Sequence, residues 1–161
     1  MKRMVNKDEL VKKLKNYAPE DLKAVKDLPP AQKERTFLVD MTYTLEQDIA
    51  DDKGNVVYSK GYTFNPLEYV TYPNTIVILN GKSPDQIAWF KKSAYSKDLR
   101  TKLVITDGSY ADVSKALKRP VFYATSAIID VFQIKAVPSV AQQKGMFMEV
   151  RELAVAEKKV P

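Results

Sequence analysis

From residue 75 onward the chain alternates short, unbroken apolar runs with segments whose apolar positions recur at helical spacing. Thr75-Ile76-Val77-Ile78-Leu79 is apolar throughout, the pattern of a strand covered on both faces. Asn80-Gly81-Lys82 reads as a turn. Ser83-Pro84-Asp85-Gln86 then carries a helix start, with Ser as cap, Pro in the first position and Gln three residues after the cap. Ile87, Ala88, Phe90 and Ala94 mark the apolar side of that helix, beside Trp89, which reads as core. Residues 102–106 predict a second strand. Asp107-Gly108-Ser109 leads into a helix bearing Val113, Ala116 and Leu117. Residues 120–124 predict a third strand. Thr125 or Ser126 caps a helix with Ile128, Val131 and Phe132. Residues 137–142 and 146–151 close as a hairpin around Lys144-Gly145. Strands separated by helices pair in parallel through right-handed crossovers, and the hairpin adds antiparallel strands. The expected class is α/β.

The first half reads differently. Over residues 8–28, Leu10, Val11, Leu14 and Tyr17 form one helical stripe, which Leu22, Val25 and Leu28 continue after a restart at Pro19. Pro29-Pro30 ends it. Residues 36–70 are rich in β-formers. The cluster Asp51-Asp52-Lys53-Gly54-Asn55 between Ile49-Ala50 and Val56-Val57-Tyr58 predicts a hairpin, and Ser59-Lys60-Gly61 and Asn65-Pro66-Leu67 mark further turns. The expected organisation is a helical arm over 1–35, a β-rich segment over 36–72 and an α/β domain over 73–161. No internal repeat is visible.

Composition narrows the chemistry. The chain has 161 residues, no cysteine and no histidine. Disulfides, thiolate catalysis, Cys-ligated metals and histidine general-base catalysis are therefore outside its means. Of the net charge of +6, the first 35 residues supply +4, from 10 basic and 6 acidic side chains. A basic arm raises the alternative of a nucleic-acid-binding accessory module. Interspersed charges and few aromatics for base stacking favour a solvated helical face instead. Lys82-Ser83 lacks the glycine spacing of a phosphate loop. Ser109 with Asp112 has no base to activate the hydroxyl, and reads as a helix cap.

The stretch Phe132-Gln133-Ile134-Lys135-Ala136-Val137-Pro138-Ser139-Val140 has the pattern that surrounds the cis-proline of a thioredoxin-like fold. About one X-Pro bond in twenty is cis in folded proteins, and this pattern favours cis for Val137-Pro138. In such a fold a Cys-x-x-Cys pair would open the helix after a central strand. We expect residues 107–112 at that position, with Pro138 beside Ser109. Without thiols the domain would serve by its surface. The fold expected for residues 73–161 is thioredoxin-like, lacking the dithiol and preceded by the arm and the β-rich segment.

Several segments resemble one family. Asp40-Met41-Thr42-Tyr43-Thr44-Leu45-Glu46-Gln47-Asp48-Ile49, Asp52-Lys53-Gly54-Asn55-Val56-Val57-Tyr58-Ser59-Lys60-Gly61 and Phe64-Asn65-Pro66-Leu67 are similar to the TraW family of F-type conjugative type IV secretion systems. Ile78-Leu79-Asn80-Gly81, Pro84-Asp85-Gln86-Ile87-Ala88-Trp89, Arg119-Pro120-Val121-Phe122 and Val137-Pro138-Ser139 extend the resemblance, which runs from about residue 36 to about residue 150. It implies a non-enzymatic periplasmic assembly protein without cofactor or small-molecule substrate, acting in pilus assembly and mating-pair formation. The implied partners are a TrbC-type thioredoxin-like protein and other type IV secretion components. Met1-Lys2-Arg3 is basic with no apolar stretch after it, which leaves a cytosolic chain or one whose leader has been removed; the resemblance, to exported proteins, implies a trimmed signal. The candidate partner-binding residues are Tyr62, Phe64 and Tyr69 in the β-rich segment and Met146, Phe147 and Met148 in the closing hairpin. A core of this size cannot absorb all of them.

Overall fold

The computed structural model describes residues 28–155. The helix expected over 8–28 lies outside the described residues except for Leu28. Ten strands are β1 (Arg35–Asp40), β2 (Tyr43–Thr44), β3 (Ile49–Ala50), β4 (Val56–Tyr58), β5 (Thr63–Phe64), β6 (Thr75–Leu79), β7 (Thr101–Ile105), β8 (Val121–Tyr123), β9 (Ser139–Lys144) and β10 (Phe147–Glu152). Three α-helices are α1 (Pro84–Lys92), α2 (Tyr110–Leu117) and α3 (Ser126–Val131).

One mixed sheet organises the molecule, in the order β1-β10-β9-β6-β7-β8. β6, β7 and β8 run parallel, joined by crossovers through α1 and α2. β9, β10 and β1 extend the sheet antiparallel on the other side of β6. The unbroken apolar run of β6 splits between two cores. Val77 and Leu79 join Leu103, Ile105, Val121 and Val140 under Phe90 of α1 and Val113 of α2. Ile78 joins Val104, Ala141, Met148 and Val150 under Ile129 of α3. A strand in the middle of two layers has no water-facing side, which is why it shows no alternation. The class is mixed α/β.

β1 departs from the expected organisation. Residues 36–40 were expected in the β-rich segment, yet this strand pairs along its whole length with β10, from Arg35↔Glu152 to Asp40↔Phe147. Val39 is buried on the α3 side. Pairing with β1 covers the backbone groups that β10 would otherwise expose. Such pairing joins residues more than a hundred positions apart, so no local pattern announces it. The remaining β-rich stretch forms two small ribbons, β2 with β5 and β3 with β4.

The helix starts form as their caps predict. Ser83, Ser109 and Thr125 each accept a hydrogen bond from the backbone N–H three residues on, at Gln86, Asp112 and Ile128. At the α1 and α2 starts two glycines meet. Gly81 N–H donates to the Asp107 carbonyl at 2.9 Å. A Cβ on Gly81 would lie 2.5 Å from that same oxygen, and one on Gly108 would lie 3.0 Å from Gly81 C. Gly81→Ala must therefore push two backbone segments apart. Overpacking of this kind costs about 1–3 kcal/mol. A drop in the urea unfolding midpoint at unchanged slope is the expected result.

Candidate interaction surface

The Val137-Pro138 peptide is cis, and Pro138 is fully buried. Its neighbour is not the expected one. β9 pairs with β6, with Ile78 opposite Ser139, so Pro138 stands abreast of Leu79 at the entry to α1. Ser109 lies one strand further, after β7. The expected neighbour of Pro138 is thus corrected from residues 107–112 to the loop Asn80-Gly81-Lys82-Ser83. The physical reason is that the closing hairpin docks on the other side of β6 from β7. This loop is built for structure. Gln86 is buried and its Oε1 accepts the Asn80 N–H at 2.8 Å. Ser83 caps α1, and the Lys82 ammonium lies 3.4 Å from Asp107. On the other side of the proline the Val137 N–H donates to the Pro29 carbonyl, and its own carbonyl accepts the Ala31 N–H. The chain's own residues 29–31 thus occupy the backbone edge beside the cis bond.

A charge pair fastens this end of the sheet. Glu152 is buried at the end of β10 and receives both Arg35 Nε at 2.8 Å and Arg35 Nη2 at 3.0 Å. Its Oε2 also accepts the backbone N–H groups of Lys135 at 2.8 Å and Ala136 at 3.2 Å, just before Val137-Pro138. Burial pushes its carboxyl up, but the Arg35 hydrogen bonds, the Lys135 and Ala136 amides and the Arg35 charge together leave it below the ordinary carboxylate value. The Arg35 guanidinium also lies 4.2 Å from the centre of the Phe37 ring. A second arginine was likewise not singled out in the sequence reading. Arg119 gathers the carbonyls of Tyr95, Asp98 and Thr101 and lies over Phe90. Only its place in the Arg119-Pro120 segment could have drawn attention to it.

The opposite end of the sheet carries most of the exposed aromatics, with Tyr110 and Phe122 exposed elsewhere, on α2 and β8. In the two ribbons, Tyr43, Phe64, Tyr62 and Tyr58 form a row of touching rings, with centroid distances of 6.0, 6.1 and 5.1 Å. Tyr69 joins Tyr62 through their hydroxyls. The Tyr62 hydroxyl and the Glu68 carboxylate hold the Tyr69 phenol above its ordinary value. Between these rings, Leu45 and Ile49 lies a cavity of about 210 Å³. Tyr62 is exposed and Tyr69 is 70 % exposed, whereas Phe64 is half-buried. Residues 40–72 hold six acidic and two basic side chains, a local net charge of −4 in a chain of +6.

The closing hairpin comes to the same place. Asn65 Nδ2 donates to the Met146 carbonyl at 2.9 Å, and the Tyr72 N–H donates to Gln143 Oε1. Met146 and Phe147 are exposed. The structure thus brings the two candidate groups, far apart in sequence, to one end of the sheet. Met148 does not belong to that surface. It is 2 % exposed and packs in the core under α3, because successive β10 side chains point to opposite faces and its neighbour Phe147 takes the outer one.

Over 106 residues, 66 % of its length, the chain is 30 % identical to protein TraW of Escherichia coli strain K12. This match supports the resemblance to the TraW family. It spans about half of that relative's length, 50 %. No family model and no solved structure matches it. Among the described residues of this chain, no helix is long and apolar enough to cross a membrane.

Proposed function

We propose that this chain, similar to TraW, is a non-enzymatic assembly protein of an F-type conjugative type IV secretion system. It works in the periplasm, in pilus assembly and mating-pair formation, by binding a TrbC-type thioredoxin-like partner. The observation that carries the reading is the exposed aromatic and methionine surface built from Tyr62, Tyr69, Met146 and Phe147 at one end of the sheet, in a chain similar to TraW. Aromatic and methionine side chains are the enriched anchors of protein interfaces. The acidic surroundings of residues 40–72 suit a basic partner face. A thioredoxin-like reading of the fold is supported by the order β10-β9-β6-β7, with a helix after β6 and the antiparallel hairpin on its other side. The side chains at the α1 entry offer no thiol and no imidazole, so the surface and not a redox step carries the function.

Affinity capture from conjugating cells tests this. The full chain is expected to bring down a thioredoxin-like assembly protein, and to show no disulfide reductase activity in an insulin-reduction assay. Recovery of nucleic acid in place of such a partner, lost steeply with rising salt, would replace the reading with the nucleic-acid alternative.

A further inference from the structure

The cavity among the ribbon rings has the make-up of an aromatic cage. Tyr58, Tyr62, Phe64 and Tyr69 line it, and Leu45, 7 % exposed, forms its buried part. Backbone ties hold the frame. The Leu45 N–H donates to the Tyr62 carbonyl and the Leu45 carbonyl accepts the Gly61 N–H, both at 2.9 Å. Gly61 stands at φ +91°, a conformation that favours glycine. The cage is thus in place before any ligand arrives, which lowers the cost of filling it. At about 210 Å³ the space suits one side chain, since a cavity of about 150 Å³ takes a benzene. Its surroundings favour a cation. Tyr62 most, then the Glu68 carboxylate and Tyr58, hold the Tyr69 phenol above its ordinary value, so these four groups lie close together. Residues 40–72 add a local net charge of −4. Aromatic ring faces are themselves negative and attract cations. Within the described residues, the arginines that lie over rings do so elsewhere, Arg35 on Phe37 and Arg119 on Phe90.

We propose that this cage receives an arginine side chain of the protein partner. The proposal rests on the reading of this end of the sheet as an interface, and names the chemical group that enters it. A guanidinium is planar, stacks on rings and carries its N–H donors along its edge. It can lie against the rings while that edge donates to tyrosine hydroxyl oxygens and to the Glu68 carboxylate. A compact ammonium does not stack in this way. An apolar side chain fills the volume but gains nothing from Glu68 or from the local charge.

The test titrates the full chain with acetyl-Gly-Arg-Gly-amide and follows the tyrosine ring signals by NMR. Two neutral peptides are the comparison. Citrulline in place of arginine keeps the shape and loses the charge, and norleucine keeps only an apolar stem. The arginine peptide is expected to shift the Tyr62 and Tyr69 rings, saturating in the millimolar range, and the citrulline peptide to bind about fivefold more weakly. Tyr69→Leu keeps apolar bulk without the ring and should lower the arginine affinity about fivefold. Glu68→Gln should lower it about threefold. Both side chains are exposed, so the circular dichroism of each variant should match the parent. Equal binding of the norleucine peptide would make the cavity an apolar anchor site and overturn the proposal. So would arginine binding untouched by Tyr69→Leu, the mark of diffuse attraction to an acidic surface, or no shift of these rings at all. Each of those results strikes the arginine site alone. The interface itself stands or falls on capture of a partner by the full chain and its loss in Tyr69→Ala.

Discussion

Glu152→Ala is expected to lower the unfolding free energy by about 3 kcal/mol. Glu152 links three pieces that are distant in sequence: β1 through Arg35, β10 on which it stands, and the turn at residues 135–136 that leads into Val137-Pro138. Removing the carboxylate leaves two backbone N–H groups without their acceptor and a guanidinium without its counter-charge. Arg35 keeps 39 % of its side chain exposed and can turn to water, which places the cost at the lower end of the range for broken buried pairs. Glu152→Gln restores an acceptor without the charge and should recover part of the loss.

The pH dependence carries the same signature. The Glu152 carboxyl is held below its ordinary value in the folded state. Its contribution is therefore fully present above the unfolded value near pH 4.5 and is lost as pH falls through the folded one. The stability gap between parent and Glu152→Ala should be widest at neutral pH and close on acidification. Asp40, Asp51 and Asp98 are also held low by hydrogen bonds, but they are present in both proteins and cancel in the difference. A gap that stays constant from pH 7 to about pH 3 would show that Glu152 acts through packing and not through its charge.

How legible was this molecule in its sequence? Periodicity and caps are local, and they succeeded where structure is local. The run 75–79, the Ser83-Pro84 start, the Thr125 cap and the Lys144-Gly145 turn each specify their own element within a few residues. What failed was the choice of neighbours. Nothing near residues 35–40 signals that their partner is β10, and nothing near Pro138 says that β9 docks on β6 rather than beside β7. Those choices are made by burial across the whole sheet, and by Glu152, whose carboxylate ties the Arg35 side chain of β1 to the backbone of residues 135–136. The candidate surface divides the same way. Composition singled out the aromatics and methionines, but only the register of β10 separates Phe147, facing out, from Met148, facing in.

That register also chooses the variants that test the surface. Tyr69→Ala and Phe147→Ala are each expected to weaken binding of a TrbC-type partner by about thirtyfold, corresponding to about 2 kcal/mol per anchor. Both side chains are exposed, so truncation leaves the cores under α1 and α3 untouched and the circular dichroism unchanged. Tyr62→Ala is a poorer probe, because Tyr62 lies against both Tyr58 and Phe64 and its loss loosens the row of rings itself. Met148→Ala serves as the contrasting case. It empties core volume, and should cost about 2–5 kcal/mol of stability with little change in the affinity of the protein that remains folded. Because Asn65 ties the ribbons to the Met146 carbonyl, Tyr69 and Phe147 belong to one patch, and their double variant should fall short of the summed losses if one partner element covers both. Calorimetry on the single and double variants decides the matter. Unchanged affinity for Tyr69→Ala and Phe147→Ala alike would remove this end of the sheet from the interface.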